Sequence, residues 1–428
     1  MKIVVLGAGI IGVSTAWHLL QRGHDVVVVD RQPGAALETS HANGAQISVS
    51  FCEPWAHPTA PLKVLRWLTR DDAPLLFRPQ LDWHQWRWGL GFLSQCTLPA
   101  FRRNVGELVA LGRYSHDALK QIVADTGIEY HRLERGILHL FSSQQDLESG
   151  AAAAALMQHF GVDRRVLTRE QVLAIEPSLR HFAGLRGGTY TPSDESGDAF
   201  VFTRALARHC ADRGARFLYG RDILSLDRDG GGVRGVRVRD RETRELATLG
   251  GDAYVVALGS FTAPLLRPLG VFLNIYPTKG YSATLPLRRP EDASEVSLLD
   301  DAYKIAISRL GPEVRIAGTA EMAGYDTGLD GSTARVRCQQ LVQRYEALFP
   351  GVADTSAPRF WAGLRPSTPD NRPVIGRTRL PNLWVNSGHG TLGWTHGAGS
   401  GLALAELMDG RTPPIGFRFS GARRSTAV

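Results

Sequence analysis

The chain has 428 residues, more than one hydrophobic core usually organises, so two domains are expected from an ordinary composition of 43% hydrophobic and 21% charged residues. Its net charge of +7 rests on scattered arginines, with lysine only at Lys2, Lys63, Lys120, Lys279 and Lys304; lacking a dense basic run with interleaved aromatics, it speaks against nucleic acid and for anionic substrates or an anionic membrane face. Cys52, Cys96, Cys210 and Cys338 are too scattered for a metal or redox pair, and Met1 leads into no signal-peptide or membrane-spanning pattern, so no metal and a cytoplasmic location are expected.

The first stretch, Lys2 to Gly12, reads KIVVLGAGIIG. Ile3 to Leu6 is long enough for one buried parallel strand, and Gly7, Gly9 and Gly12 follow where a helix should open. The first glycine permits the tight turn, the second lets backbone approach a pyrophosphate, and the third lets helix sit close on strand. Val13, Ala16, Trp17 and Leu20 continue at helical spacing, Gly23 stops the helix, and Val26 to Val29 ends in Asp30, eighteen residues past Gly12. A carboxylate there takes ribose hydroxyls and repels a 2′-phosphate, so a dinucleotide other than NADP is expected. In the loop RQPGAALETSHANGAQIS, Thr39, Ser40, Asn43 and Gln46 offer hydrogen bonds and Gly34 and Gly44 allow close approach; it either wraps that ligand or is a solvated loop.

From Phe51 to Arg103 the composition shifts. Five of the nine tryptophans fall here, Trp55, Trp67, Trp83, Trp86 and Trp88, with Leu62 to Leu68 and Leu75 to Phe77 nearby and Arg66, Arg70, Arg78 and Arg87 interspersed. The segment either rests on a membrane interface or packs as helices against a sheet or partner. Helices are expected over Glu107 to Asp125, Ala151 to Phe160 and Phe200 to Gly214, strands over Gly136 to Phe141 and Arg216 to Tyr219, and a meander over Ile223 to Val238. The strand Asp252 to Ser260 ends in glycine and fits a return of the chain to the nucleotide domain. Pro277 to Phe349 holds alternating runs, including Tyr303 to Ile307 and Val314 to Ala317, and then a helix from about Ala334, as for a mostly antiparallel sheet walling a pocket. A strand from Leu383 to Val385 then runs into Gly388, Gly390, Gly393, Gly397, Gly399 and Gly401 before a helix, which suggests backbone touching a flat or anionic ligand. A nicotinamide enzyme does not need this second site, whereas a flavin does.

With VLGAGIIG, VVVDRQPGAALETSHANGAQIS, EPWAHPTAPLK, DESGD, IYPTKGYS, DAYKIAI, WAGLRPSTPDNRPVIGRT and NLWVNSGHGTLGWTHGAGSG in place, the chain resembles the bacterial FAD-dependent D-amino acid dehydrogenases, within the D-amino acid oxidase, glycine oxidase and sarcosine oxidase group. These pieces span nearly the whole chain. The resemblance implies an α/β architecture with a discontinuous Rossmann-like FAD-binding domain of the GR2 type, over 1–52, 195–268 and 358–428. A substrate domain on a mostly antiparallel sheet would occupy 53–194 and 269–357.

It further implies noncovalent FAD, with Gly7, Gly9, Gly12, Asp30 and Arg31 at the adenosine diphosphate end. Ser40, Asn43 and Gln46 would border the flavin, with Gly388, His389, Gly390, Thr391 and Leu392 around its ring. The implied reaction is oxidative deamination of a D-amino acid to a 2-oxo acid and ammonia, electrons passing to a quinone or other acceptor, with possible peripheral attachment to the inner membrane. A zwitterion needs a cation for its carboxylate, and a planar arginine is the best fixed clamp. Arg365 in GLRP matches the position that holds the substrate carboxylate in this group, and Tyr303 with Lys279 or Tyr281 would complete the clamp. His389 and Tyr303 are candidate bases, though a neutral amine needs none. Each has a plainer role open to it: Arg365 pairing with Asp370, Tyr303 in the sheet core, His389 bracing its glycine loop. Where relatives commonly read ANAGQISPGY, this chain has Ala42 to Phe51 without the tyrosine and then Cys52, so the substrate's identity is the open point. The rivals are a D-proline, D-hydroxyproline or sarcosine-type secondary-amine enzyme, a flavin subunit of a larger complex, and a plain NAD-binding reductase.

Overall fold

The computed structural model describes residues 1–62 and 75–421; the expectations for Lys63, Arg66, Trp67, Leu68 and Arg70 lie outside the described residues. Lys2–Leu6 is the strand expected from its apolar run, with Ile3 to Leu6 fully buried. It lies in a six-stranded sheet ordered 374–377, 383–387, 253–256, 2–6, 25–29 and 216–218, parallel except for the first strand. The turn at Gly7 adopts φ +108°, and a Cβ on Gly12 would stand 1.9 Å from the Gly7 carbonyl oxygen. Only glycine at both positions lets the helix Ile10–Leu20 leave the strand so tightly.

The helix Gly393–Met408 crosses that first helix, and here the glycine string divides by role. A Cβ on Gly399 would lie 2.4 Å from Ser115 Cα, and one on Gly401 2.7 Å from the Ser14 carbonyl carbon. These two glycines, expected at a ligand, are buried inside the helix and let three helices pack at close range; the ligand-facing glycines come earlier in the string.

The second sheet runs 359–367, 276–286, 313–322, 305–310, 297–300, 137–141, 187–191 and 165–168, with Leu75–Phe77 added beside 313–322. Its pairs are antiparallel apart from 297–300 with 137–141 and 75–77 with 313–322. The helix Ser332–Leu348 covers one face, burying Ala334, Cys338, Leu341 and Tyr345 against Tyr281, Ala283 and Ile316. The opposite face looks onto a cavity that reaches to the nucleotide sheet. Leu98–Thr126 is one long helix, starting well before the expected Glu107 because Thr97 caps it and Pro99 sits in its first turn. Among the described residues no helix is long and apolar enough to cross a membrane, and no three His, Cys, Asp or Glu side chains are grouped to hold a metal.

Candidate active site

A cavity of about 1500 Å³ lies between the two sheets. That exceeds the ~300–1,000 Å³ of a single-ligand pocket, as a dinucleotide together with a second small molecule would require. At one end are Gly7, Gly9, Asp30 and Arg31. The Ala8 and Gln32 amides donate to the Asp30 carboxylate at 2.7 and 2.8 Å. Burial pushes that carboxyl upward while the two amides pull it down; burial is the larger effect. Arg31 is tied to Glu38 at 2.7 Å and lies over the Phe261 ring. The helix that opens beside them has no acid in its first turn, so nothing there competes with a phosphate for its N–H groups.

Along the cavity, Ser40 Oγ accepts from the Ile10 amide at 3.1 Å. Asn43 and Gln46 border the space, but their side chains are engaged locally. Asn43 Oδ1 accepts from Ala45 N, and Gln46 Nε2 donates to Ser297 Oγ and the Leu298 carbonyl. His389 and the turn Gly390–Leu392 form the far wall, leading into the Gly393–Met408 helix. Gly12 and Gly388 do not border the cavity; they let its walls pack. His389 is 2% exposed, and among the described residues neither ring nitrogen has a hydrogen-bond partner. Burial holds its basicity far below that of ordinary histidine, so the ring is neutral.

Arg365 enters from the larger sheet. In the register of 276–286 with 359–367, Thr278 stands opposite Arg365 and Gly280 opposite Gly363, so these four share one face. A Cβ on Gly280 would lie 2.4 Å from Arg365 Cζ, so the glycine is the bed on which the guanidinium rests. Arg365 Nη1 donates to the Thr319 carbonyl at 2.7 Å, and no carboxylate is paired with it among the described residues; Asp370 pairs with Arg372 instead. Burial alone pulls its pKa down to about 10, which still leaves it charged at neutral pH. The carbonyl reaches it because Thr319 sits in a β-bulge at φ +54°.

The same alternation corrects the rest of the expected clamp. Lys279 and Tyr281 fall on the opposite face, under the Ser332–Leu348 helix. Lys279 Nζ donates to the Gly328 carbonyl (2.6 Å) and reaches Asp326, while the Tyr281 hydroxyl donates to Glu321 Oε2 (2.5 Å). Tyr303 is not in the strand, which begins at Ile305; it is 48% exposed in a turn, with the Arg344 guanidinium over its ring. None of the three pairs with Arg365: Tyr281 borders the cavity, but its hydroxyl is committed to Glu321, while Lys279 and Tyr303 do not border it. The cavity wall also includes Phe51, Glu53, Thr319 and Trp361, of which Thr319 is bonded to Arg365. Glu53 is held by Arg164 at 2.9 Å. Behind this wall the buried Asp194 of DESGD accepts from the Ser48 and Ser50 hydroxyls and the Val49 and Ser50 amides, fixing the segment that delivers Phe51 and Glu53.

The ligand-facing set matches a flavin dinucleotide: an acid-ended nucleotide cradle, a connecting polar stretch, and a far wall with an unpartnered neutral imidazole. Comparisons agree. The profile of the family described as FAD dependent oxidoreductase matches residues 2–407. A D-amino acid dehydrogenase of Dechloromonas aromatica is 49% identical over 422 residues, covering 98% of this chain and 99% of that protein. Another of that name from Granulibacter bethesdensis is 45% identical, covering 97% of each. Among solved structures, glycine oxidase from Geobacillus kaustophilus superposes with a TM-score of 0.72 at 20% identity over 97% of this chain and 96% of its own. Glycine oxidase from Bacillus cereus gives 0.71 at 21% identity over 96% and 95%. At that identity the structures speak for the fold alone, while the near end-to-end profile and sequence matches speak for descent: the chain belongs to the FAD-dependent oxidoreductase family and is an enzyme of that family with FAD as its cofactor.

Proposed function

We propose that this enzyme is a D-amino acid dehydrogenase, oxidising a D-amino acid to the 2-oxo acid and ammonia. The observation that carries the reading is Arg365, a guanidinium aimed into the cavity with no carboxylate partner among the described residues, in a chain 49% identical to an enzyme of that name. The segments 1–52, 195–268 and 358–428 would hold FAD, although Arg359–Ser367 is paired into the larger sheet. Bound FAD supplies the two-electron acceptor. The chain supplies the rest: Arg365 takes the carboxylate in a charge-assisted pair, which fixes the α-carbon against the ring-binding wall. Loss of the α-hydrogen with its electron pair from the neutral amine leaves an iminium ion, and water converts it to the 2-oxo acid and ammonium. His389 is too poor a base to hold a proton, so the amine enters neutral and His389 serves as a hydrogen-bonding wall group. Electrons go on to a quinone or another acceptor, on a protein attached peripherally to the cytoplasmic face of the inner membrane.

The test is an anaerobic mixing experiment that follows the visible flavin absorbance with D-alanine, L-alanine, D-proline and sarcosine in turn. Bleaching by D-alanine and not L-alanine is expected. Faster bleaching by D-proline or sarcosine would instead establish a secondary-amine enzyme. Since Lys279 and Tyr303 lie off the cavity, Lys279→Met and Tyr303→Phe are expected to change KM for the amino acid by less than about twofold. A tenfold rise in either would return that residue to the clamp.

A further inference from the structure

Arg365 belongs to one strand of the larger sheet and places its charge over another. Among the described residues Arg359–Ser367 is the outermost strand, with 276–286 beside it and 313–322 next. The guanidinium crosses the middle strand over Gly280, where a Cβ would meet Cζ and Nη2 at 2.4 Å, and ends on the Thr319 carbonyl of the third strand at 2.7 Å. Strands lie about 4.8 Å apart, so the crossing carries the charge roughly one strand inward from the sheet edge. Gly280 stands opposite Gly363, and a Cβ on Gly363 would lie 2.0 Å from Trp361 Cη2. The indole therefore occupies the bare floor of the outer strand, and the guanidinium takes the bare floor of the middle one.

The anchor at the end of this path is unusual for a sheet. In a regular ladder the carbonyls lie within the sheet, directed at the next strand, and do not meet a side chain resting on the face. Here Lys279 pairs with Glu321 and Tyr281 with Gly318, so Thr319 and Ala320 together oppose Gly280. The extra residue, with Thr319 at φ +54°, turns one carbonyl out of the ladder toward Arg365. That backbone conformation is costly for a β-branched residue, and such outliers gather where a site depends on them. Charge supplies the reason. The buried Arg164, Arg315 and Arg372 are paired with Glu53, Asp198 and Glu107, whereas Arg365 is held by a neutral carbonyl. A carboxylate in that place would orient the guanidinium equally well but would cancel the charge that a ligand's carboxylate needs.

We infer that Gly280 and the Thr319 bulge are positioning residues for the substrate's carboxylate, acting through Arg365. The inference rests on the reading of Arg365 as the carboxylate clamp. Gly280 gives the guanidinium its path across the sheet, and Thr319 anchors Nη1 without neutralising it. The other N–H donors are thereby presented to a carboxylate in one orientation.

The test uses the FAD-loaded enzyme and two variants. Gly280→Ala puts a methyl group where the guanidinium lies, at a backbone conformation that alanine accepts. Deletion of Thr319 leaves Ala320 alone opposite Gly280, which restores a regular ladder and removes the carbonyl turned toward Arg365. Each variant is expected to raise KM for D-alanine by about tenfold and kcat to change by less than about threefold. The calorimetric Kd of propionate, a carboxylate without an amine, should rise by about the same tenfold. The cofactor should stay bound, with the thermal midpoint of Gly280→Ala within about 3 °C of wild type. In an Arg365→Ala background, with no guanidinium left to misplace, neither change should lower kcat/KM further. Wild-type KM and propionate affinity in Gly280→Ala overturn the inference, even where the deletion does not fold. A loss of the same size with and without Arg365 assigns both residues a merely structural role and overturns it too. Propionate binding that Gly280→Ala weakens, without flavin reduction by any D-amino acid, would sink the dehydrogenase reading and leave the carboxylate seat standing.

Discussion

Replacing Arg365 by alanine is expected to lower kcat/KM for a D-amino acid by about 100- to 1,000-fold, mostly through KM, while the yellow cofactor stays bound. The guanidinium rests on Gly280, gives one hydrogen bond to the Thr319 carbonyl, and has no carboxylate partner among the described residues. Burial that pulls its pKa from 12.5 to about 10 corresponds to about 3 kcal/mol paid to keep the charge there. A substrate carboxylate recovers that cost on binding, which is why its loss should appear in affinity. The fold should not suffer: removing a buried cation without a partner leaves the thermal midpoint unchanged or raised. Arg365→Lys keeps the charge without the planar fork and is expected to fall between, at about tenfold. Kinetics indistinguishable from wild type in the alanine variant would remove the clamp.

The sequence made Arg365 accessible and hid its neighbours for a single physical reason. Tyr276–Pro286 is buried on both faces, because a helix covers one side and the cavity wall lies on the other. With no polar face to contrast with an apolar one, YPTKGYSATLP carries no alternation from which parity can be read. Only the pairing of Thr278 with Arg365 shows that Lys279 and Tyr281 point the other way. The Thr319 bulge is equally silent, since a positive φ at a threonine leaves no trace in composition. The nucleotide unit was legible because its demands are local. Ile3 to Leu6, the three glycines and Asp30 lie within thirty residues, and each is required by sterics or charge rather than by distant pairing. The later glycines were legible as a cluster but not by role, because close helix packing and ligand approach ask for the same missing Cβ.

Asp194→Ala is expected to cost about 3–5 kcal/mol and to loosen the wall that carries Phe51 and Glu53. The carboxylate accepts from Ser50 Oγ at 2.5 Å, Ser48 Oγ at 2.7 Å, Val49 N at 2.9 Å and Ser50 N at 3.3 Å. Deleting it removes the shared acceptor of four buried donors and strands the two amides, whereas Asp194→Asn keeps an oxygen for the amides and should cost much less. Calorimetry should show a fall of several degrees for alanine, accompanied by weaker substrate binding. The pH dependence gives a second check. Burial raises the Asp194 pKa to about 6, against an ordinary value of 3.8, with the four hydrogen bonds opposing that rise. The folded state therefore holds the proton more tightly than the unfolded state. The group's stabilising contribution is full below about pH 4 and is lost as pH climbs through about 6. Since the side-chain amide of the Asp194→Asn variant cannot titrate, the stability of wild type relative to that variant should decline between about pH 4 and about pH 6.5 and then level off. A difference that stayed flat across this window would mean that Asp194 is ionised in the fold throughout, its four donors outweighing its burial.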